Sequence, residues 1–585
     1  VGDLTAVVSL ALELEQLKTA PRLNEMINPL TWSTRRTIRQ QTDFRIENDR
    51  VTIADGQVFA RNPRNFLRIF EVAEDTGSYL HPDALRGIRR TLHLLDDDLR
   101  SDPQAAGIFF NLLTKSKQPE AILRQLHGAG VLGRYIPEFA RVTAMMQFNM
   151  YHHYTVDEHT IQTISHLAQI EREELVEELP VASKILSEGL NRKVLYTALL
   201  LHDIGKGRPE DHSVLGAQIA RRVCPRLGLN AEECETVEWL VRYHLLMSDM
   251  AQKRDIADPR TVRDFAKAVK TVKRMDLLLI LTVCDIRGVG PGTWNNWKAA
   301  LLRALYRQTR RALEGGMEAL NRDQRGTDAK RSLREALKEK GWPSKDIRTE
   351  TARHNPTYWQ GLHLTAHLTF AELLRNIDDT EVSINATADT DRDATRICFA
   401  MADHPGLFSR ITGALALAGA NVVDARSYTS SDGYVTAIFW CQDSTGQAYE
   451  TSKLKRLTQV IDKTLKGGLI AREALAPKDK LKKREKAFDV PTTITFDNEG
   501  SEIFTIIEVD TRDRPGLLHD LTRTMAASNI NIEAATIATY GEQVVDSFYV
   551  KDLFGLKLYS EAKQKTLEAR LREAIITGSE RADHA

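Results

Sequence analysis

Apolar positions along the first 320 residues recur mostly at helical spacing, and those beyond residue 380 mostly alternate. "DLTAVVSLALELEQL" and "NFLRIFEVAEDTG" carry apolar residues on one helical face, and the second ends in a glycine stop. Between them, "RVTIADGQVFA" reads as a β-hairpin with Asp55-Gly56 at its turn. "LDDDLRSD" (95–102) lacks a strand frame and reads as a helix or a helix end. Residues 321–345, "NRDQRGTDAKRSLREALKEKGWP", are heavily charged and predict a solvated helix that connects its neighbours. These patterns divide the chain into a helical region (1–145), a second helical region (146–320), a helical connector (321–379) and a C-terminal part of strands and helices.

The C-terminal part repeats itself. "TRICFAMADHPGLFSRITGALALAGANVVDA" (395–425) aligns without a gap to "TIIEVDTRDRPGLLHDLTRTMAASNINIEAA" (505–535). Asp403, Gly406, Leu407 and Asn421 match Asp513, Gly516, Leu517 and Asn531. Each copy reads strand, strand, D-x-P-G turn, amphipathic helix, strand, strand, helix, over 380–470 and 490–580. The basic stretch between the copies, within 471–489, reads as a solvated linker. It lacks the interleaved aromatic residues of a nucleic-acid surface.

Polar residues interrupt the apolar pattern at a few points in the second helical region. "ALLLHDIGKG" ends an apolar run with His202 and Asp203, and "LLLILTVCDIRG" ends another with Asp285. "YHHYTVDEHT" supplies His152, His153 and His159, "EDHSVLGA" supplies His212, and "VEWLVRYH" ends in His244. Burying such groups costs free energy unless something satisfies them. Imidazoles and carboxylates projecting from several helices suit a divalent ion that keeps open positions for water and substrate. Such an ion lowers the pKa of a bound water and polarises a phosphoryl oxygen. Lys206, one turn beyond, could hold a phosphate oxygen as a point charge. His152 and His153 read as surface or substrate-side residues.

Composition narrows the setting. Lys and Arg (80) balance Asp and Glu (80), so no global field draws the chain to nucleic acid. No apolar run approaches a membrane span, and the N-terminus lacks the pattern of a signal peptide. Five scattered cysteines suit buried thiols in a reducing cytoplasm better than a disulfide framework. The chain begins at Val1, which reads as a truncated start.

The order His159, His202-Asp203, Asp285 resembles the H…HD…D signature of HD-domain metal-dependent phosphohydrolases. That resemblance implies those four as metal ligands, and His212 and His244 as residues that bind a second metal or the scissile phosphate; with Lys206 they are the candidate catalytic residues. The repeats resemble ACT domains, ferredoxin-like βαββαβ modules that bind amino acids. The implied fold is multidomain α and α+β: an all-α region, an all-α HD domain and two ACT domains. The ordered combination is similar to the bifunctional uridylyltransferase/uridylyl-removing enzymes of bacterial nitrogen regulation. What the resemblance implies is a metal-dependent (Mn or Mg) phosphodiesterase that releases UMP from the uridylylated PII signal protein. Glutamine would be the effector, bound around Asp403, Gly406, Leu407 and Asn421 and around Asp513, Gly516, Leu517 and Asn531. The family's transferase core carries a Gly-Ser turn followed by Asp-x-Asp. No such motif is present here, so the expectation is uridylyl removal without transfer by this chain. Two other readings remain open: a (p)ppGpp hydrolase, which also joins HD and ACT domains, and a non-catalytic amino-acid sensor. The first usually carries an acidic pair after its HD motif, where this chain has Lys206.

Overall fold

The computed structural model describes residues 43–47, 49–146, 153–316, 322–467, 490–540 and 543–584. The first amphipathic stretch, His152 and the basic linker within 471–489 lie outside these residues. The chain divides into two compact units. Among the described residues, no helix is long and apolar enough to cross a membrane.

The first unit comprises 1–147, 152–244 and 280–290. Strands β1 (Phe44–Glu47) and β2 (Arg50–Ile53) form an antiparallel hairpin, and β3 (Tyr79–Leu80) pairs parallel with β2. The hairpin therefore reverses between Glu47 and Arg50, where Asp49 adopts a left-handed φ of 58°, and not at the expected Asp55-Gly56. Asp55 instead accepts a hydrogen bond from Gln57 N–H at 2.7 Å and leads into the short helix Val58–Arg61. An Asx turn and a hairpin turn draw on the same residue types, so only strand pairing separates them. The acidic run at 95–102 caps helices, as its lack of a strand frame implies. Asp96 accepts from Leu99 N–H, and Asp102 accepts from Gln104 N–H at the start of Pro103–Thr114. Proline at the first position opens several of these helices, where its missing N–H costs nothing.

The second unit comprises 148–151, 245–279 and 291–585. Its centre is one eight-stranded antiparallel sheet in the order β4-β5-β7-β6-β10-β11-β9-β8. The first copy supplies β4 (Ser383–Asp389), β5 (Ala394–Ala402), β6 (Asn421–Thr429) and β7 (Tyr434–Gln442). The second supplies β8 (Thr493–Asp497), β9 (Thr505–Arg512), β10 (Ile530–Tyr540) and β11 (Gln543–Asp552). Each copy runs strand, strand, helix, strand, strand, helix, so its edge strand precedes the D-x-P-G turn.

The copies join through β6 and β10, and the join follows the repeat. Ala425 pairs with Ala535, its own counterpart. Thr412 and Thr522, also counterparts 110 residues apart, share a hydrogen bond of 2.9 Å. Equivalent residues meeting each other mark a local two-fold relation between the copies.

Helices Leu407–Leu417, Thr451–Leu465, Leu517–Ala527 and Glu561–His584 bury Ile411, Ile461, Leu521 and Leu571 against Phe399, Phe439 and Phe548 on one face of the sheet. Each such side chain contributes roughly 1.5–3 kcal/mol when fully buried. Over the first copy the opposite face is also covered. Leu333 and Leu337 of Arg322–Glu339, with Trp342, Trp359 and Phe370, pack on Cys398, Ile438 and Trp440. The charged stretch 321–345 is therefore not a solvated connector. Two of its leucines, four residues apart, bury a seam while its charges stay outside.

Candidate metal centre

Five segments of the first unit bring the chemistry-bearing residues together. Helix Val156–Glu171 carries His159. Helix Arg192–Leu201, eight residues of which are buried, ends at His202 and Asp203. Helix His212–Arg226 starts at His212, capped by Asp211, whose carboxylate accepts from the Ser213 and Val214 N–H groups. His244 follows helix Ala231–Arg242, whose start carries a reciprocal capping box between Asn230 and Glu233. Asp285 lies in the last turns of helix Val272–Gly288.

Two glycines let the backbones approach. A Cβ at Gly205 would stand 2.2 Å from the His212 carbonyl oxygen, so no larger residue fits between the His-Asp pair and the His212 helix. A Cβ at Gly288 would meet Thr163 Cγ2 at 2.7 Å, where the helices of His159 and Asp285 cross. The "GKG" turn of the sequence thus serves close approach first.

The donor atoms converge. His159 Nε2 lies 3.1 Å from His202 Nε2 and 3.1 Å from Asp285 Oδ1. Asp203 Oδ2 stands 3.5 Å from the first imidazole nitrogen and 3.3 Å from the second. His202 Nε2 is 3.7 Å from Asp285 Oδ1. Ligand atoms held at about 2.1 Å from one ion sit roughly 3.0 Å apart at right angles and roughly 3.4 Å apart at tetrahedral angles. The observed separations match a shared ion. The other Asp203 oxygen faces a second group: Oδ1 is 3.9 Å from His212 Nε2 and 3.8 Å from His244 Nε2. Asp203 is thus placed between two sets of imidazoles.

Outer hydrogen bonds set the ring orientations. His202 Nδ1 lies 2.7 Å from the Leu199 carbonyl oxygen, and His244 Nδ1 lies 2.8 Å from that of Val241. A carbonyl can only accept, so each Nδ1 carries a proton and each Nε2 faces the centre, the orientation a metal-binding histidine requires.

The electrostatics ask for a cation. Burial opposes charge on His202, yet the Asp203 and Asp285 carboxylates overcome this and hold its pKa up at about 9. Burial likewise opposes charge on Asp203, but Lys206 and His202 hold its pKa well below the ordinary range. Without an ion, two buried carboxylates draw a proton onto an imidazole; a divalent ion meets the same demand. His244 is pulled down to about 4 by burial, and His212 is lowered by burial too, so both are neutral near pH 7. The cluster can hold a divalent metal.

Lys206 does not stand apart as a phosphate anchor. Its Nζ lies 2.7 Å from Asp203 Oδ2. His153 packs beside Gly290, and its N–H donates to the Val289 carbonyl at 3.2 Å, just beyond the Asp285 helix. Sequence reasoning passed over Asp157. It is buried two residues before His159, lies 3.0 Å from His127 Nε2, and accepts from Ala144 N–H at 3.0 Å. A single Asp in a helix's first turn gives no sequence signal beyond that of a common cap.

Comparison with known proteins follows this layout. Residues 44–135 match the family model described as uridylyltransferase GlnD third domain. Residues 156–280 match the HD domain, 396–443 the ACT domain, and 493–578 the ACR9-like, ACT-like domain. All of the chain aligns at 63% identity with a bifunctional uridylyltransferase/uridylyl-removing enzyme of Ruegeria pomeroyi, covering 64% of that relative. An enzyme of the same description from Cereibacter sphaeroides is 62% identical, with 62% of its length covered. One from Azospirillum brasilense is 43% identical over 98% of the chain. Over the length it has, the chain is similar to the bifunctional uridylyltransferase/uridylyl-removing enzymes. It spans a little under two thirds of these relatives.

The residues expected to bind an effector lie elsewhere, at the D-x-P-G turns of the ACT repeats. Gly406 and Gly516 open their helices at φ 78° and 77°, a left-handed conformation that favours glycine. Leu407 and Leu517 are buried in the helix–sheet core. Asp403 and Asp513 are exposed at the turns, and Asp403 accepts a hydrogen bond from Thr429 Oγ1 at 3.3 Å. Asn421 Nδ2 donates to the Asp443 carbonyl at 3.2 Å, and Asn531 is exposed at the start of β10.

Proposed function

We propose that the chain is a divalent-metal-dependent phosphodiesterase that removes UMP from a uridylylated tyrosine of the PII signal protein, with glutamine as effector at the ACT repeats. The observation that carries this reading is the convergence of His159, His202, Asp203 and Asp285 at ligand spacing within a matched HD domain. The uridylyl-removing half of the relatives' description names the corresponding chemistry. When bound, Mn or Mg would lower the pKa of a coordinated water and polarise a phosphoryl oxygen.

The chain's own residues divide the remaining work. His159, His202, Asp203 and Asp285 hold the ion. Asp203 Oδ1 faces His212 and His244, which offer neutral imidazole nitrogens. His212, with 29% of its side chain exposed, is the more open of the two and is suited to take a proton from the attacking water. Lys206 balances the charge of Asp203.

The test is UMP release from uridylylated PII by the purified chain with Mn²⁺, with and without glutamine. Alanine at His202 or Asp203 is expected to lower turnover by about 10³-fold or more with the circular dichroism spectrum unchanged. A chelator should abolish turnover. Full activity in both variants, or in metal-free protein, would refute the assignment.

A further inference from the structure

Residues 245–279 follow His244 directly, and they lead directly into the part of helix Val272–Gly288 that carries Asp285. Both ends of this segment are thus joined by chain to residues of the metal centre. Within the second unit, its middle grips the repeat sheet. Arg254 Nη1 lies 2.7 Å from Glu508 Oε2 on β9. Ser501 Oγ donates to Asp258 Oδ2 at 2.5 Å, and Arg263 pairs with Glu502 at 2.5 Å.

Asp255 occupies a distinct place in this set. Its carboxylate lies 2.7 Å from Arg426 Nη2 on β6, which belongs to the first repeat. Its backbone N–H donates to the Tyr549 hydroxyl at 2.6 Å on β11, which belongs to the second. One residue therefore holds both copies on either side of the β6–β10 join. The side chains of Arg426 and Asp255 are 9% and 15% exposed, so the pair is shielded from salt and its geometry is tightly specified.

We infer that Asp255 is a positioning residue that transmits the relative placement of the two repeats to His244 and Asp285. An effector that shifts one repeat against the other must stretch either the Arg426 contact or the Tyr549 contact. The segment answers by moving, and its two ends lead to His244 and Asp285. By linkage, effector and metal then alter each other's affinity. This rests on the glutamine-regulated reading above. It adds the route.

The experiment measures Mn²⁺ affinity by electron paramagnetic resonance, with and without glutamine, alongside UMP release. In the unaltered chain glutamine is expected to shift the Mn²⁺ dissociation constant by about fivefold or more. In Asp255→Ala the shift should fall below about twofold, on the scale of one lost coupling contact, with glutamine-free turnover retained. If Asp255→Ala does not fold, Arg254→Glu tests the same grip, and Arg254→Glu with Glu508→Arg should restore at least half of the shift. Recovery by the reversed pair distinguishes positioning from general destabilisation. An undiminished shift in folded Asp255→Ala or Arg254→Glu overturns the inference, as does the absence of any shift in the unaltered chain. A normal shift without UMP release would count only against the phosphodiesterase reading.

Discussion

At matching positions of the two repeats, His404 and Arg410 of the first become Arg514 and Asp520 of the second. In the first repeat the Arg410 guanidinium donates to His404 Nε2 at 2.5 Å, in the open. In the second the Arg514 guanidinium pairs with Asp520 at 2.7 Å, with 2% and 6% of the side chains exposed. Ala437 of the first, buried in the fourth strand, becomes Asp546 of the second. Asp546 is buried with Oδ1 lacking a hydrogen-bond partner. Burial, aided by the Asp513 charge, holds its pKa well above the usual carboxylate value.

The loops after the fourth strands tell the same story. Asp443 accepts from the Thr445 and Gln447 N–H groups, and Asp552 accepts from those of Phe554 and Leu556. Gly446 and Gly555 take left-handed φ values of 78° and 76° at the same loop position. The turn is one structure, yet Ser444, Thr445 and Gln447 are replaced by Leu553, Phe554 and Leu556, which are 59%, 83% and 62% exposed. Two copies of one fold keep turn chemistry and core periodicity while charge and surface diverge. Backbone constraints are few and strict; side-chain electrostatics are free to specialise.

The sharpest way to break this comparison is the buried ion pair. Asp520→Ala leaves Arg514 charged and uncompensated and should cost about 3–5 kcal/mol, whereas Arg410→Ala should cost less than about 1 kcal/mol. Urea denaturation measures both, and equal losses would mean that the repeats use these positions alike. Next is Asp546→Ala, which installs the first repeat's residue. A folded-state acid pKa above the ordinary 3.8 means that the folded state keeps its proton longer than the unfolded one. Stability therefore falls as pH rises above about 4 towards that raised pKa. The alanine variant should melt about 2–4 °C higher at neutral pH. Its advantage should shrink towards pH 4, and a flat difference across that window would contradict a buried, strained acid. The smallest effect belongs to the loop. Replacing Leu553, Phe554 and Leu556 with Ser, Thr and Gln should change stability by no more than about 0.5 kcal/mol. Binding of an apolar dye should fall at the same time. A large loss of stability would place these residues in the core instead.

Much of this was legible from neighbouring residues. The apolar runs ending in His202-Asp203 and in Asp285 announced helices with polar ends, because helical period and capping are local properties. The gapless repeat foretold two like modules, and its spacing reappears in the Thr412–Thr522 hydrogen bond. Three features stayed hidden. The hairpin reverses between Glu47 and Arg50 and not at Asp55-Gly56, since pairing register and not turn composition chose it. Leu333 and Leu337 were masked by the charges around them until the sheet face they cover was present. Lys206 looked like a phosphate anchor, and only the fold set its ammonium on Asp203.

What the sequence by itself determined is the list of parts: which helices end in ligand-type side chains, where glycine is needed, and that one module occurs twice. Tertiary structure alone decided that Asp203 turns one oxygen to each pair of imidazoles, and that Asp255 bridges two strands of different repeats. The reason is range. Periodicity and capping act over a few residues, whereas a donor set drawn from His159 to Asp285 forms only when packed helices cancel the cost of bringing like polar groups together out of water.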